Sequence, residues 1–555
     1  MRLAYIAIPI ALVVFPFAIF SLAGSAPGLQ FSEVANAAGI HAEIRCGGPE
    51  KRWIPEANGS GVAWLDYDKD GFMDLLIVNG GSMEQLRRVV SGGTPSTSKN
   101  GVYLFHNLGN GHFEDVTERA GLSNPYWGTG ANAADYNNDG FVDILITTIG
   151  VDLLYKNNGN GTFSEVSASA GLSRDVKWHT GSTFGDFNND GYLDLYVAGY
   201  VDIHSISLAE PAPVCPYKGI PGFCGPIGMK AEHGILYRNN GNGTFTDATK
   251  SAGLNDVKPS HGFSAVFDDF NHDGKLDLFV ANDSDPNSLF LNQGDGTFKE
   301  SALLLGVGFN ADGLVQSNMG IAIENDDDSG RLNILTTTFF DDYFPLFKQD
   351  KSGFFEDASS SNGLTMLTRR LLGWACGFAD FDNDSKRELW LANGHVYPRS
   401  PYYLEPITIL ASHRGAFSGA YQFPETPNNS YRGGATGDFN NDGRVDLVVL
   451  PIAGQPVLLQ NNTSNSSAWV GLQLRGTRGN RDAIGASVEM DSCGKTQFET
   501  LRNGGGYLSS NDPRLHFGLG DCTKVDRVTI KWPRGAVQKL TSVAANRYTT
   551  IEEPR

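Results

Sequence analysis

The sequence holds none of the short patterns that arm an enzyme. Its 555 residues contain no Gly-x-Ser-x-Gly elbow, no His-Glu-x-x-His pair and no phosphate-cradling loop. Cysteine is scarce: there are 6, none in Cys-x-x-Cys spacing, which speaks against a zinc cluster and against a disulfide scaffold. Basic charge is outweighed, with 43 Lys and Arg against 62 Asp and Glu, and a net charge of −19 argues against nucleic acid as a partner. Long apolar runs are absent after the one from Leu3 to Leu22. Paired carboxylates abound, but a repeat accounts for them, so no acid/base couple can be singled out and no catalytic residue is assigned.

That repeat is Asp66-Tyr-Asp68-Lys-Asp70-Gly71-Phe72-Met-Asp74. It returns at Asp135, Asn137, Asp139, Gly140, Phe141 and Asp143, and at Asp186, Asn188, Asp190, Gly191, Tyr192 and Asp194. Two further copies run through Asp269, Asn271, Asp273, Gly274, Lys275 and Asp277, and through Asp438, Asn440, Asp442, Gly443, Arg444 and Asp446. Side-chain oxygens at positions 1, 3, 5 and 9, a turn glycine at 6 and a backbone carbonyl at 7 (Phe72, Phe141, Tyr192, Lys275 or Arg444) suit a hard cation taking six to eight oxygens, which points to calcium. An EF-hand would need Glu at position 12. Here Ile77, Ile146, Val197, Val280 and Val449 stand there, inside β-branched runs, so the loops join strands. The five loops hold sixteen acidic side chains, so the acidity of the chain belongs largely to the ion sites.

Two degenerate copies lie between Asp269 and Asp438. Asp380, Asp382, Asp384 and Glu388 keep the oxygens but have Ser385 at the turn, and the stretch from Glu324 to Gly330 carries an extra residue. The expectation is about five calcium ions, with the Asp380 loop a candidate sixth. Each unit also repeats an apolar strand, an Asn-Gly turn and a second strand, as in Leu154-Tyr-Lys-Asn-Asn-Gly-Asn-Gly-Thr-Phe163, a strong hairpin signal because the primed turn needs positive φ. Seven four-stranded units in series predict a β-propeller. Residues 29–40 read as an outer strand lacking its partner, and 457–462 as a partner lacking its outer strand, so the N-terminal strand should close the seventh blade.

These units resemble the FG-GAP/VCBS-type repeats of integrin α-subunit heads. Beyond a polar linker at 463–468, the stretches Asn480-Arg-Asp-Ala-Ile-Gly485, Gly506-Tyr-Leu-Ser-Ser, His516-Phe-Gly-Leu-Gly520 and Trp532-Pro-Arg-Gly535 resemble the ASPIC/UnbV domain. Short alternating stretches there predict a small β-sandwich over 469–555. The whole is similar to a bacterial relative of the cartilage acidic protein family, which implies a calcium-binding protein outside the cytoplasm. The expected fold is therefore all-β: a seven-bladed propeller over 27–462, then the sandwich.

Residues 1–26 have the layout of a secretory signal, or of an N-terminal anchor if uncleaved, the one case in which the membrane is a partner. The expected localisation is secreted, periplasmic or cell-surface. Cys215 with Cys224, and Cys493 with Cys522, are the expected disulfides.

If the ion loops and Asn-Gly turns share one face, three long insertions (82–101, 200–234 and 395–431) mark the other. Trp127, Trp178, His179, His261, Trp374 and Arg432 come at the starts of the inner strands on that side and form a candidate ligand-binding cluster. Two functions compete. One is a binding and adhesion module for a protein or glycan ligand. The other is a carbohydrate-active enzyme, a lyase or hydrolase, working at the channel mouth.

Overall fold

The computed structural model describes residues 28–95, 101–326, 329–413, 415–423, 426–464 and 466–555; the expected signal or anchor segment at 1–26 lies outside them. Each unit of the repeat folds into a four-stranded antiparallel blade, and seven blades stand around a central channel, the second and third joined into one eight-stranded sheet where Lys177 and Trp178 pair with Gly150 and Ile149. In the first blade the strands are Val62–Leu65 innermost, then Asp74–Val78, Val102–Asn107 and Phe113–Asp115 at the rim. The second strand, Asp74-Leu-Leu-Ile-Val, is buried along its whole length, because blades cover it on both faces and a continuous apolar run is what such a strand needs. Gaps between successive blades hold separate apolar layers, such as Ala63, Leu76, Ile144 and Tyr155 between the first two. The N-terminal strand Phe31–Glu33 pairs with Val457–Asn461, Phe31 opposite Asn461, and so completes the seventh blade with strands from the far end of the repeats.

A second fastening runs between blades. The asparagine ending the third strand donates its Nδ2 protons to two carbonyls, one in its own ion loop and one in the preceding blade. Asn157 bonds Val142 O and Tyr67 O, Asn239 bonds Leu193 O and Tyr136 O, and Asn292 bonds Leu276 O and Phe187 O. Asn461 reaches Phe381 O, Asn107 reaches Phe439 O across the closure, and Gln349 reaches Phe270 O. Blade six has Ser412 at this position, and Arg387 donates to Asn325 O of blade five instead. The stitch therefore goes round the ring. Replacing Asn239 by Ala strands two buried carbonyls, and we expect a loss of about 1–3 kcal/mol in denaturant unfolding. An unchanged midpoint would mean that the stitch only accompanies blade packing.

One expectation needs correcting. The stretch 395–431 is not a single insertion: it contains the two outer strands of blade six, Thr408–His413 and Ala416–Gln422, so the true insertion ends before residue 408. The hairpin between them turns at Gly415 (φ +76°) without the Gly-x-Gly run of blades one to four, which is why the sequence pattern hid it.

The C-terminal domain is a sandwich of two sheets. One places Ala468–Arg475 between Leu515–Gly520 and, in parallel, Tyr548–Glu552; the other orders Lys495–Thr500, Ser487–Ser492, Arg527–Lys531 and Val537–Leu540. Val470, Leu472, Val488, Met490, Val528 and Ile530 fill its centre. Cys493–Cys522 lies in this domain and Cys215–Cys224 in the second insertion, both bonded, while Cys46 and Cys376 are free and buried.

Sequence reading assigns Gly506-Tyr-Leu-Ser-Ser to the sandwich, but in the structure this stretch leaves it. Residues 503–512 enter the propeller channel and bond the inner strands one after another. Asn503 O accepts from Thr183, Gly505 N–H donates to Ala265 O, Gly506 and Ile321 exchange both backbone bonds, Ala131 N–H donates to Leu508 O, and Ser510 bonds Val62 and Trp64. Positive φ at Gly504, Gly505 and Gly506 (+80°, +79° and +54°) lets the backbone lie this close to the blades. At the tip, Tyr507 is fully buried between Phe263 and Trp374 (ring centroids 5.5 and 5.0 Å), with its hydroxyl donating to Asn58 O at 2.9 Å. The channel is filled by its own C-terminal domain.

Candidate metal loops and the buried cluster on the opposite face

Position 1 of each loop follows the innermost strand and position 9 opens the second, so the whole ligand set hangs on one β-turn-β unit. The backbone is wound around the carboxylates. In the first loop Asp66 accepts from Asp70 N and Gly71 N (3.1 and 3.2 Å), Asp70 from Phe72 N (2.8 Å), and Asp74 from Tyr67 N and Asn107 N (3.1 and 2.8 Å). The loops at Asp135, Asp186, Asp269 and Asp438 repeat the bonds from positions 5 and 6 to position 1. The residue at position 4 adopts positive φ throughout: Lys69, Asn138, Asn189, His272, Asn383 and Asn441.

The Asp380 loop folds the same way although Ser385 replaces the turn glycine. Ser385 takes φ +73°, and its N–H bonds Asp380 at 2.8 Å. Blade five differs: Asp326 N–H bonds Arg331 O, Gly330 N–H bonds Asp326 O, and Asp327 and Asp328 lie outside the described residues.

Burial gives these carboxylates their chemistry. Asp74, Asp194, Asp277 and Asp446 at position 9 are fully buried. Loss of solvent pushes Asp74 up to about 7, Asp277 to about 8 and Asp143 to about 9, and Asp194, Asp446 and Glu388 well above the usual carboxylate range. At position 1, burial raises Asp66, Asp186 and Asp438 to about 6 and Asp135 to about 7. Oxygens of Asp66, Asp68 and Asp70, and of Asp380, Asp382 and Glu388, lie within 4.8 Å of one another. Buried, convergent, oxygen-only donors fit a hard divalent cation, which would supply the missing counter-charge. In three loops the position-7 side chain, Lys275, Lys386 or Arg444, pairs with the position-5 carboxylate of its own loop, Asp273, Asp384 or Asp442, so a bound cation would displace or share that contact. The first loop adds a residue that the sequence reading passed over, His106, whose Nδ1 lies 3.1 Å from Asp74 and 3.4 Å from Asp68.

The sandwich docks on this same face, where three of the four stretches that carry its resemblance meet the ion loops, while 506–510 enters the channel. Asp482 accepts from Asp135 N at 2.7 Å, and Asn138 Oδ1 accepts from Arg481 N. His516 meets the Asn383 side chain at 2.7 Å, and Gly520 N–H donates to Asn383 O. Gly518 leaves no room for a side chain, since a Cβ there would lie 2.0 Å from Asp380 Oδ2. Tyr548 donates to Asp438 Oδ2 at 2.9 Å, and Trp469 covers Gly443. Motif residues of this domain thus touch the ion loops of blades two and six directly, and Tyr548 and Trp469, outside the motifs, reach that of blade seven.

On the other face, Trp127, Trp178, His179, His261, Trp374 and Arg432 all lie buried at the starts of inner strands. His179 Nδ1 is bonded to Asp152, and His261 Nδ1 to Asp285 at 2.7 Å. Arg432 donates to the Ala57, Gly394 and Tyr431 carbonyls and lies over Trp374 at 4.0 Å. Tyr200 packs against Trp178, His261 and Phe263, and Tyr507 against Phe263 and Trp374, which joins most of the set into one apolar cluster under the plug tip. The Nε2 atoms of both histidines and Nη2 of Arg432 have no protein partner. The insertions interlock above: Lys218 pairs with Asp341, Arg52 and Arg87 both reach Glu210, and Tyr217 stacks among Phe339, His395 and Tyr397. None of the six candidate residues lines either of the two large clefts, which both lie between propeller and sandwich.

A family model for ASPIC and UnbV matches residues 476–555, and one for the FG-GAP-like repeat matches 89–146, 135–197, 228–280 and 269–317. Cartilage acidic protein 1 of Mus musculus is 25% identical over 380 residues, 66% of this chain and 53% of the relative; that of Homo sapiens is 27% identical over 291 residues, 50% and 42%. The chain thus spans about half, or less, of the length of these curated relatives. Among solved structures, an Agrocybe aegerita lectin that recognises terminal N-acetylglucosamine aligns at TM-score 0.37 and 14% identity, over 66% of this chain and 88% of its own. An exotype rhamnogalacturonan lyase aligns at TM-score 0.37 and 12% identity, over 76% of each chain.

Proposed function

Starting from a chain that joins FG-GAP-like repeats to an ASPIC and UnbV domain, we propose an exported, calcium-loaded β-propeller that acts as a binding module for a protein or glycan. The observation that carries the reading is the recurrence of one buried oxygen cage in blade after blade, with backbone N–H groups already holding each carboxylate in place. Two disulfides suit an oxidising compartment, where calcium is abundant enough to fill even weak sites. The partner would meet the insertion face, where Val214, Ile227, Tyr402 and Leu404 are exposed.

Catalysis at the channel mouth is the weaker reading, because the channel is filled by residues 503–512 and His179, His261 and Arg432 are buried in internal contacts. Metal content decides the ion part directly. After dialysis against trace calcium, emission spectroscopy should find about five ions per chain, and Asp194→Asn together with Asp186→Asn should remove one. Protein that retains no calcium, or a double variant with unchanged content, would overturn the assignment.

A further inference from the structure

We infer that the cleft between the sandwich and the loops of the first three blades is a second binding site, one for an acidic polysaccharide carrying carboxylates or sulfates. The inference rests on the binding-module reading but concerns the face opposite the insertions. The cleft is part of a space of about 1130 Å³ between the sandwich and all seven blades, whose floor holds ion-loop carboxylates such as Asp66 and Asp135; on its wall beside the first three blades stand Lys69, Arg475, Arg478, Arg481 and Arg534. All five are exposed, and among the described residues none forms an ion pair, whereas the deeper Arg387, Arg502 and Arg514 are each paired with a carboxylate. In a chain of net charge −19, a group of unpaired cations on one wall calls for a partner.

Their placement suits a row of anions. Lys69 Nζ and Arg481 Nη1 both stand 3.3 Å from where Gly140 would carry a Cβ, so the two heads converge above the second blade's loop. Arg534 Nη1 stands 3.3 Å from the corresponding point on Gly191 and is held there by Arg478 O at 2.7 Å, above the third blade's loop. Two cationic stations on adjacent blades match a polymer with charges at intervals. Guanidinium forks fit planar carboxylate and sulfate oxygens in bidentate fashion. Thr477 and Thr500 also line the cleft, which gives hydroxyl-rich sugars bonding partners, while the Asn138 and Asn503 amides there are already bonded within the protein. Nucleic acid is a poorer match, since it would look for a ring to stack on, and Tyr192 beside these stations is packed against Gly241.

The test uses the full chain against immobilised hyaluronan (carboxylate), heparin (sulfate), neutral dextran and an oligothymidylate, at low and physiological ionic strength. One or both acidic polysaccharides should bind, dextran should not, and the pattern tells which anion is preferred. The variant Arg478→Gln/Arg481→Gln/Arg534→Gln should bind at least about tenfold more weakly, while Lys250→Gln/Lys524→Gln, which removes two exposed cations elsewhere, should bind as the parent does. Calcium content of the triple variant should be unchanged, which separates failure here from failure of the ion assignment. Absence of binding to both polyanions, equal binding by the two variants, or oligothymidylate binding as tight as the polysaccharides would overturn the inference.

Discussion

Removing calcium with a chelator is expected to lower the melting temperature by about 10–20 °C. Each site that binds only the folded chain contributes about 2.7 kcal/mol at a hundredfold excess of ion over its dissociation constant, and the repeat supplies several of them. For a domain of 150–250 residues about 1 kcal/mol moves the midpoint by roughly 2–4 °C, and a longer chain moves less, which sets the range. The direction follows from the geometry. Without an ion, Asp194, Asp277 and Asp446 are buried beside other carboxylates, and each loop must protonate or open. Magnesium should restore little of the loss, because it demands octahedral geometry at short distances and gives up its water reluctantly. Differential scanning calorimetry with calcium, magnesium and chelator measures this, and a shift under about 3 °C would refute the structural role of the ions.

The second large effect is expected at the plug tip. Tyr507→Ala empties a fully buried site between Phe263 and Trp374, and such truncations cost about 3–5 kcal/mol. Tyr507→Phe keeps the ring and loses only the bond to Asn58 O, so it should cost about 1 kcal/mol. The pattern of unfolding is as telling as the size. Residues 503–512 bond inner strands around the ring, so propeller and sandwich should unfold together in the parent and at separate midpoints in the alanine variant. Tryptophan fluorescence follows both domains. Coincident transitions in Tyr507→Ala would mean that docking on the loop face alone couples them.

The ring was legible because its signals are local and periodic. A nine-residue loop, an Asn-Gly turn and a lone outer strand at Phe31 fix blade count and closure without any knowledge of tertiary contacts. The stitching asparagines were visible only as part of a hairpin pattern, since nothing in Asn157 or Asn239 announces a bond to the preceding blade. The outer hairpin of blade six escaped because it turns without Asn-Gly. At the candidate cluster the chain order placed six residues at the inner strand starts, but not what would cover them. A tyrosine from a different domain packs against Trp374, and that follows only from three-dimensional closure. Likewise the ASPIC and UnbV stretches look like ordinary loop motifs in sequence, and their contacts with the propeller, ion loops for some and the channel wall for 506–510, appear only when the two domains are brought together.

The way the first blade-seven strand is paired has a bearing on the order of biosynthesis. Gln30 N–H bonds Thr463 Oγ1 across 433 positions of sequence. On the ribosome the opening segment therefore waits, unpaired, until almost the entire repeat array has been made, and the channel stays unfilled until residues 503–512 emerge later still. Early blades must hold together through neighbour contacts while the ring is an open arc with two bare sheet edges, the state in which β-proteins are most prone to associate wrongly. Completion joins segments more than four hundred positions apart, so damage to Phe31–Glu33 or to Val457–Asn461 would be felt by every blade.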